Sequence, residues 1–188
     1  MNYGRIFNYD IANGAGVRTA LFVSGCRHHC KGCFNPETWD FNYGKPYTPE
    51  TEDEIIATLD NPNIDGLSLL GGEPMEPENQ PYIRALAERA KSEHPDKTIW
   101  MYSGYLFEEL TDPDSERCHT GDTAAILSCL DILVDGEFVL AKKNISLRFR
   151  GSENQRIIDV PATLESGRIV LSEYMQPVRG VLLPNGSN

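Results

Sequence analysis

The sequence predicts a single α/β domain, shaped as an incomplete (β/α) barrel that is open on one side. Short apolar runs alternate with amphipathic segments, which is typical of parallel βαβ units with right-handed crossovers. Glycine-, cysteine- and acid-bearing segments follow the apolar runs directly, so we expect them at the carboxyl ends of the strands, where such folds keep their chemistry. A complete barrel typically needs about 250 residues. Because this chain has 188, about five or six strands are expected.

The N-terminal third is predicted to hold one strand and one helix. Residues 1–18 are polar and glycine-bearing, and they lead into the apolar run 19–24, the first predicted strand. After an irregular stretch, Thr48 can cap a helix whose first position is Pro49, because proline needs no N–H donor there. We expect this helix to end at about Leu59.

The middle of the chain repeats the order strand, loop, helix. Residues 66–70 form a short apolar run typical of a buried parallel strand. Apolar residues then recur at helical spacing over about 80–92. A third strand is predicted at 98–102, with a short helix behind it at 106–110.

The last predicted crossover follows a polar loop. Asp122 can cap a helix over 124–130, and the apolar run 132–134 is the fourth predicted strand. Further on, the alternation breaks down. Residues 157–160 and 169–171 are predicted as two more short strands.

Length and composition predict one domain over residues 1–160, with a C-terminal extension over 161–188 whose last part, 177–188, is extended. The net charge of -11 opposes nonspecific binding to phosphate backbones and argues against a nucleic-acid-binding module. No apolar run approaches the length of about 18 residues that a membrane span needs, and no signal-peptide pattern opens the chain. Five cysteines, an odd number, favour a reducing compartment, so a cytoplasmic protein is expected.

Three cysteines lie within eight residues of one another in the loop after the first predicted strand: Cys26, Cys30 and Cys33. Iron–sulfur clusters are normally held by four thiolates, and structural zinc by four ligands in a closed tetrahedron. A triplet without a nearby fourth thiol suggests a four-iron cluster with one iron open to another ligand. The triplet alone leaves two alternatives, zinc completed by His28 or His29 and unliganded thiols. We expect both histidines to face solvent or a partner.

A second motif, Gly71-Gly72-Glu73-Pro74, directly follows the second predicted strand. The glycine pair permits close backbone approach to a ligand, and the carboxylate can accept hydrogen bonds from an ammonium group. Taken alone, the motif is more typical of a tight turn with a solvated glutamate than of a ligand site.

The two motifs together resemble the radical S-adenosylmethionine superfamily. The resemblance implies a partial barrel of that type, in which the three cysteines hold a [4Fe-4S] cluster. The amino and carboxylate groups of S-adenosyl-L-methionine would chelate its open iron, and the Gly-Gly-Glu loop would receive the amino group. That superfamily usually has an aromatic residue immediately before the last cysteine. Here Gly32 stands at that position and Phe34 follows the cysteine, so one of these two is expected to contact the adenine through its backbone.

A narrower resemblance, over about residues 2–158, is to the glycyl-radical activases of anaerobic ribonucleoside-triphosphate reductases. It implies that reduced flavodoxin or a similar donor supplies one electron, and that a 5'-deoxyadenosyl radical then takes a hydrogen atom from a glycine of the large reductase subunit. The chemistry would be that of the cofactors, with no catalytic side chain. The resemblance is carried by Asn13-Gly14-Ala15-Gly16-Val17-Arg18, Cys33-Phe34-Asn35, Ser103-Gly104-Tyr105, Leu133-Val134-Asp135-Gly136-Glu137-Phe138 and Arg150-Gly151-Ser152-Glu153-Asn154-Gln155.

Further residues are candidates for the site. Ser103 and Asp135, at later strand ends, are expected either to contact S-adenosylmethionine or to be satisfied turn residues. Residues 150–155 either meet the partner protein or form a hydrogen-bonded turn. Cys118 and Cys129 are not expected to be ligands.

Two other functions stay open at this point. One is a different radical S-adenosylmethionine enzyme, such as a formate-lyase activase or a small-molecule modifier, which would share the cluster and the Gly-Gly-Glu loop. The other is a zinc-stabilised binding module, which would leave that loop unexplained.

Overall fold

A computed structural model describes residues 1–176 of the chain as a mixed α/β fold with one seven-stranded sheet. The strands are β1 (Asn2–Asp10), β2 (Arg18–Val23), β3 (Lys45–Pro46), β4 (Gly66–Gly71), β5 (Thr98–Tyr102), β6 (Ile132–Asp135) and β7 (Arg156–Asp159). The α-helices are α1 (Pro49–Leu59), α2 (Gln80–Glu93), α3 (Phe107–Thr111), α4 (Thr123–Cys129) and α5 (Val160–Ser166). Residues 177–188, which include the tail predicted to be extended, lie outside the described residues.

The centre of the sheet consists of the four predicted strands, and all four are confirmed. Strands β2, β4, β5 and β6 are neighbours and run parallel. Their register pairs Val23 with Gly71, Leu69 with Met101, and Tyr102 with Val134. The loops that leave their carboxyl ends therefore emerge at one edge of the sheet, as the sequence predicts.

The strands outside this centre agree with the prediction only in part. No strand is predicted over residues 1–18, yet β1 pairs antiparallel with β2 from Tyr3 to Asp10. Its sequence has no apolar run, since most of β1 is half-buried or exposed, and the strand is held by pairing with its neighbour. The strand predicted over 157–160 is confirmed as β7, which pairs antiparallel with β6. The residues described thus hold seven strands, more than the five or six expected.

The sheet does not close on itself. Its order is β3-β1-β2-β4-β5-β6-β7, with β3 and β7 at the two edges. The α/β class is confirmed and the sheet is open, while the interpretation as a partial barrel stays a prediction.

The helix caps match the sequence only in part. The Thr48 side chain accepts a hydrogen bond from the Thr51 amide and Pro49 opens α1, both as predicted. Asp122 occupies the N-cap position of α4 but caps nothing, because its carboxylate pairs with Arg84 Nη1 at 3.0 Å. The short strand predicted at 169–171 is a single bridge between Ile158 and Leu171.

The two faces of the sheet are covered differently. Alternate residues of the central strands, such as Leu21 and Leu69, belong to the large core that also contains the apolar faces of α1, α2 and α4. The opposite face bears smaller clusters around Phe22 and Trp100. It is partly covered by Ala15 and Phe149 from loops and by Tyr174 and Met175 from the short 3-10 helix Glu173–Met175. No helix within residues 1–176 is long and apolar enough to cross a membrane.

Candidate functional site

A cavity of about 440 Å³ lies where the loops from the central strands converge. It is bordered by the loops after β2, β4, β5 and β6, and on its far side by residues 143–151. Every predicted site residue except Asp135 lines it: Cys26, Cys30, Gly32, Cys33, Phe34, Gly71, Gly72, Glu73 and Ser103. The expected convergence of separate strand ends on one site is therefore present.

The cysteine loop is shaped by its own backbone contacts. The amides of Gly25 and Cys26 donate to the carbonyls of Thr38 and Trp39 at 2.8 and 3.2 Å, so the loop is tied to the short 3-10 helix Pro36–Trp39. Gly25 has a φ of +96°, and a Cβ there would lie 2.3 Å from the Phe41 ring. Only glycine fits this turn.

Backbone amides lie close to sulfur atoms of the cysteine loop. All three cysteines are free; Cys26 is buried and the other two are half-buried. Burial, and next the Glu73 charge, raise the pKa of Cys26 to about 12, although backbone amides of His28 and His29 partly oppose the shift. The Asn35 amide donates to Cys33 Sγ at 3.4 Å. A buried thiol of this kind gives up its proton when metal binds, and backbone N–H groups then stabilise the sulfur charge.

Within residues 1–176, no three His, Cys, Asp or Glu side chains converge closely enough to hold a single metal ion. In an iron–sulfur cluster the thiolates are spread over the cluster rather than gathered on one ion. The three thiols around one cavity fit such a cluster, and their role as its ligands stays a prediction.

The Gly-Gly-Glu loop extends the pairing between β2 and β4. Amides of Gly72 and Glu73 donate to the carbonyls of Val23 and Gly25, both at 2.8 Å. A Cβ on Gly71 would lie 2.6 Å from Val23 N, and one on Gly72 would lie 2.6 Å from Gly25 O. The glycines thus let this loop approach the cysteine loop, so that both motifs border the cavity as one unit.

The Glu73 carboxylate is buried, and its oxygens accept hydrogen bonds from other parts of the chain. It accepts hydrogen bonds from Met75 N and Ser103 Oγ, both at 2.9 Å, and from Gly104 N at 2.6 Å. Its exposed fraction is 1%. The alternative of a solvated glutamate in a plain turn is therefore wrong.

Comparisons with known proteins agree with this arrangement. A family model described as a 4Fe-4S single cluster domain matches residues 12–158. The anaerobic ribonucleoside-triphosphate reductase-activating protein of Vibrio cholerae is 45% identical over 159 residues, which cover 84% of this chain and 97% of that protein. Those of Escherichia coli K12 and phage T4 are 43% and 37% identical, over 82% and 84% of this chain and 96% and 93% of their own lengths. The chain belongs to this family of activating proteins.

The position of His28 in this activating protein is not predicted by the sequence. Its side chain is 3% exposed, with Nδ1 2.7 Å from Glu137 Oε1 and Nε2 3.2 Å from Glu73 Oε2. The second contact is an ion-pair distance without hydrogen-bond alignment. The ring also packs on Tyr105, with centroids 4.3 Å apart. The expectation that His28 faces solvent is wrong, because its side chain is enclosed by Glu137, 109 residues away in sequence, by Glu73 and by Tyr105. His28 lines the cavity, so its contact with a partner stays a prediction.

Electrostatics at His28 follow from these neighbours. Burial alone would lower its pKa, but the nearby carboxylates of Glu73, and then of Glu137, outweigh burial and raise the pKa to about 9. His29 is exposed and packs against the Trp39 ring at 4.7 Å.

Asp135 is fully buried but does not line the cavity of this family member. Its carboxylate accepts from Phe107 N at the start of α3 and from Arg156 Nε, both at 2.9 Å, and also pairs with Arg156 Nη2. Arg156 also forms an ion pair with the Glu108 carboxylate, at 2.6 Å. The structure therefore matches the alternative of a satisfied turn residue, and a ligand contact from Asp135 stays a prediction.

Part of the cavity wall was not anticipated. Trp39, Tyr102 and Phe138 line it, together with the loop 143–151. Residues 150–155 form the hydrogen-bonded turn weighed from the sequence, since Gln155 Oε1 accepts from the amides of Gly151 and Ser152 at 2.8 and 3.1 Å. Arg150, Gly151 and Gln155 also border the cavity. Cys118 and Cys129 are buried elsewhere.

Proposed function

We propose that this chain activates an anaerobic ribonucleoside-triphosphate reductase by generating a glycyl radical on its large subunit. The observation that carries the proposal is that three free cysteines and the Gly-Gly-Glu loop border one cavity. The names of the relatives support the choice of reductase. The fold would then be a partial barrel of the radical S-adenosylmethionine type, with residues 1–160 as the working domain and 161–188 as an extension.

Cys26, Cys30 and Cys33 would hold a [4Fe-4S] cluster and leave one iron for S-adenosylmethionine. A bound and reduced cluster would supply the electron for cleavage of S-adenosylmethionine to methionine and a 5'-deoxyadenosyl radical, and that radical would take the hydrogen atom from the target glycine. Such clusters reach potentials down to about -700 mV. The electron would come from reduced flavodoxin or a similar donor in the cytoplasm.

The residues of the cavity would position S-adenosylmethionine. The Gly71–Glu73 loop would receive its amino group, with the buried Glu73 carboxylate supplying negative charge close by. Ser103 fixes that carboxylate through its hydroxyl. Gly32 and Phe34 border the same cavity and are the proposed backbone contacts to the adenine.

The open sheet suits a protein substrate. Because β3 and β7 are both edge strands, the wall of the proposed partial barrel would be interrupted between them. A loop of the reductase could reach the cavity through this gap, and the chain's own residues would exclude water once the loop is seated.

The first experiment is anaerobic reconstitution with iron and sulfide, followed by electron paramagnetic resonance with and without S-adenosylmethionine. We expect about four irons per chain, as for one such cluster, a reduced-cluster signal that changes on adding S-adenosylmethionine, and dithionite-driven formation of 5'-deoxyadenosine. Stoichiometric zinc without iron would contradict the proposal.

The second experiment identifies the target. Reconstituted protein is incubated with purified anaerobic ribonucleotide reductase, or with a formate lyase as the matched alternative, and the glycyl-radical signal is measured. A radical on the reductase alone is expected. A radical on the formate lyase alone would show that the chain is a formate-lyase activase and would contradict the proposed target.

A further inference from the structure

The far wall of the cavity is formed by a basic segment, residues 140–150, in an otherwise acidic chain. It carries four basic residues and no acidic one, whereas the whole chain has a net charge of -11. Lys143, Ile145 and Arg150 of this segment line the cavity beside the cysteine loop. Leu140 reaches that loop too, since a Cβ on Gly32 would lie 3.0 Å from it.

The charges of the basic segment are not neutralised within the part of the chain that the structure describes. None of the ion pairs among residues 1–176 includes Lys142, Lys143, Arg148 or Arg150. Lys142 and Lys143 are exposed. Arg148 lies over the rings of Phe149 and Tyr174, and Arg150 donates to the carbonyls of Glu153 and Gln155.

Apolar side chains stand exposed around the same opening. Ile145 is 91% exposed, Leu140 44%, and Phe34, on the cysteine loop, 75%. Single exposed apolar residues are ordinary on a protein surface. Here three of them surround the mouth of one cavity next to unpaired positive charges, which is the composition of a contact surface.

The basic segment is held in place before any partner arrives. Lys143 and Ser152 form a bridge, Asn144 N donates to Gly151 O at 3.2 Å, and Glu153 N donates to Lys142 O at 3.0 Å. The Val139 amide donates to Ser152 Oγ at 3.1 Å. A preformed loop loses little conformational entropy on binding.

We propose that residues 140–150, together with Phe34, form the docking surface for the protein substrate, and that the substrate segment entering the cavity carries acidic residues beside apolar ones. The inference rests on the proposed function and goes beyond it by assigning the surface and the chemistry of its partner. Because the basic segment is positively charged, the segment that binds to it is expected to be negatively charged. The acidic remainder of the chain repels an acidic segment, so that segment is steered toward the basic segment at the cavity.

The test uses Lys142→Glu, because Lys142 is exposed and does not line the cavity. The matched control is Arg168→Glu, the same charge change at an exposed position after α5 that does not line the cavity. Glycyl-radical formation on anaerobic ribonucleotide reductase is measured with dithionite as the only reductant, over a range of reductase and salt concentrations. We expect Lys142→Glu to raise the apparent KM for the reductase about three- to tenfold at low salt, with the difference shrinking as salt screens the charges.

Three outcomes separate this inference from its alternatives. Cleavage of S-adenosylmethionine without the reductase should be the same in both variants and the unmodified protein; if no variant and no unmodified protein cleaves it, the proposed function itself has failed. Equal KM values for Lys142→Glu and Arg168→Glu would overturn the docking surface. A defect seen only when flavodoxin replaces dithionite would assign the surface to the electron donor and would likewise overturn the proposal.

Discussion

Ser103 Oγ donates a hydrogen bond to Glu73 Oε1 at 2.9 Å, which joins the loop after β5 to the loop after β4 beneath the cavity. Both residues are buried, and Ser103 Oγ also accepts from the Tyr105 amide at 3.1 Å. One hydroxyl therefore fixes two strand ends relative to each other.

Replacing this hydroxyl should weaken both the fold and the site. Ser103→Ala leaves the Tyr105 amide without its acceptor and removes one donor from the Glu73 carboxylate. We expect the free energy of unfolding to fall by about 1 to 3 kcal/mol, and the apparent KM for S-adenosylmethionine to rise. Urea denaturation and 5'-deoxyadenosine formation measure the two effects. Ser128→Ala, which removes an exposed hydroxyl on α4, is the control and should change stability by less than about 0.5 kcal/mol.

Gly104 tests whether the position of His28 matters. A Cβ on Gly104 would lie 2.6 Å from the His28 ring, so Gly104→Ala must displace the ring from its place between Glu73 and Glu137. We expect unfolding free energy to fall by about 1 to 3 kcal/mol and S-adenosylmethionine cleavage to slow. The control is Gly121→Ala, where nothing lies within 4 Å of the added Cβ. If both variants behave alike, the contact between Gly104 and His28 has no role.

The Asp135–Arg156 pair is expected to stabilise the fold. Asp135→Asn keeps the side-chain shape but leaves the Arg156 charge with Glu108 alone. Unfolding free energy should fall by about 2 to 3 kcal/mol, less than for a fully buried pair, because Arg156 is partly exposed. Glu108→Gln, which removes the exposed partner, should change stability by less than about 1 kcal/mol. A loss of S-adenosylmethionine binding in Asp135→Asn at unchanged stability would instead support the predicted ligand contact.

The cysteines divide into two groups with opposite expected results. Cys26→Ala, Cys30→Ala and Cys33→Ala should each lose most of the iron after reconstitution, since each removes one of three thiolates. Cys118→Ala and Cys129→Ala should keep it, because neither residue lines the cavity. Iron and sulfide per chain are measured for all five. Full iron in a variant of the first group would remove that residue from the ligand set.

The sequence predicts best what depends on burial within an element. Strands β2, β4, β5 and β6 are apolar runs because both sheet faces are covered, so each is visible without its neighbours. Strand β1 is not, since it is held by hydrogen bonds to β2 and its own residues stay largely exposed. Helix α5 had a signal that could have been used, with Asp159 at its N-cap accepting from Ala162 N and Pro161 in its first turn.

The same distinction holds for the site. The Cys26–Cys33 loop and Gly71–Glu73 are local in sequence, so their spacing identifies them. The place of His28 depends on Glu137, and the carboxylate of Asp135 depends on Arg156. Such tertiary pairings leave no local pattern, and they decide which polar residues face the cavity and which hold the fold.

In the proposed partial barrel, the unjoined edge strands β3 and β7 would also affect how a large substrate arrives. A closed ring of strands can be entered only along its axis, by a free chain end or by a segment bent back sharply on itself. A ring with a missing section can be entered from the side, so an internal stretch of backbone can be laid into it while both flanks stay attached to their parent protein. The target glycine could then lie far from either terminus of its own chain.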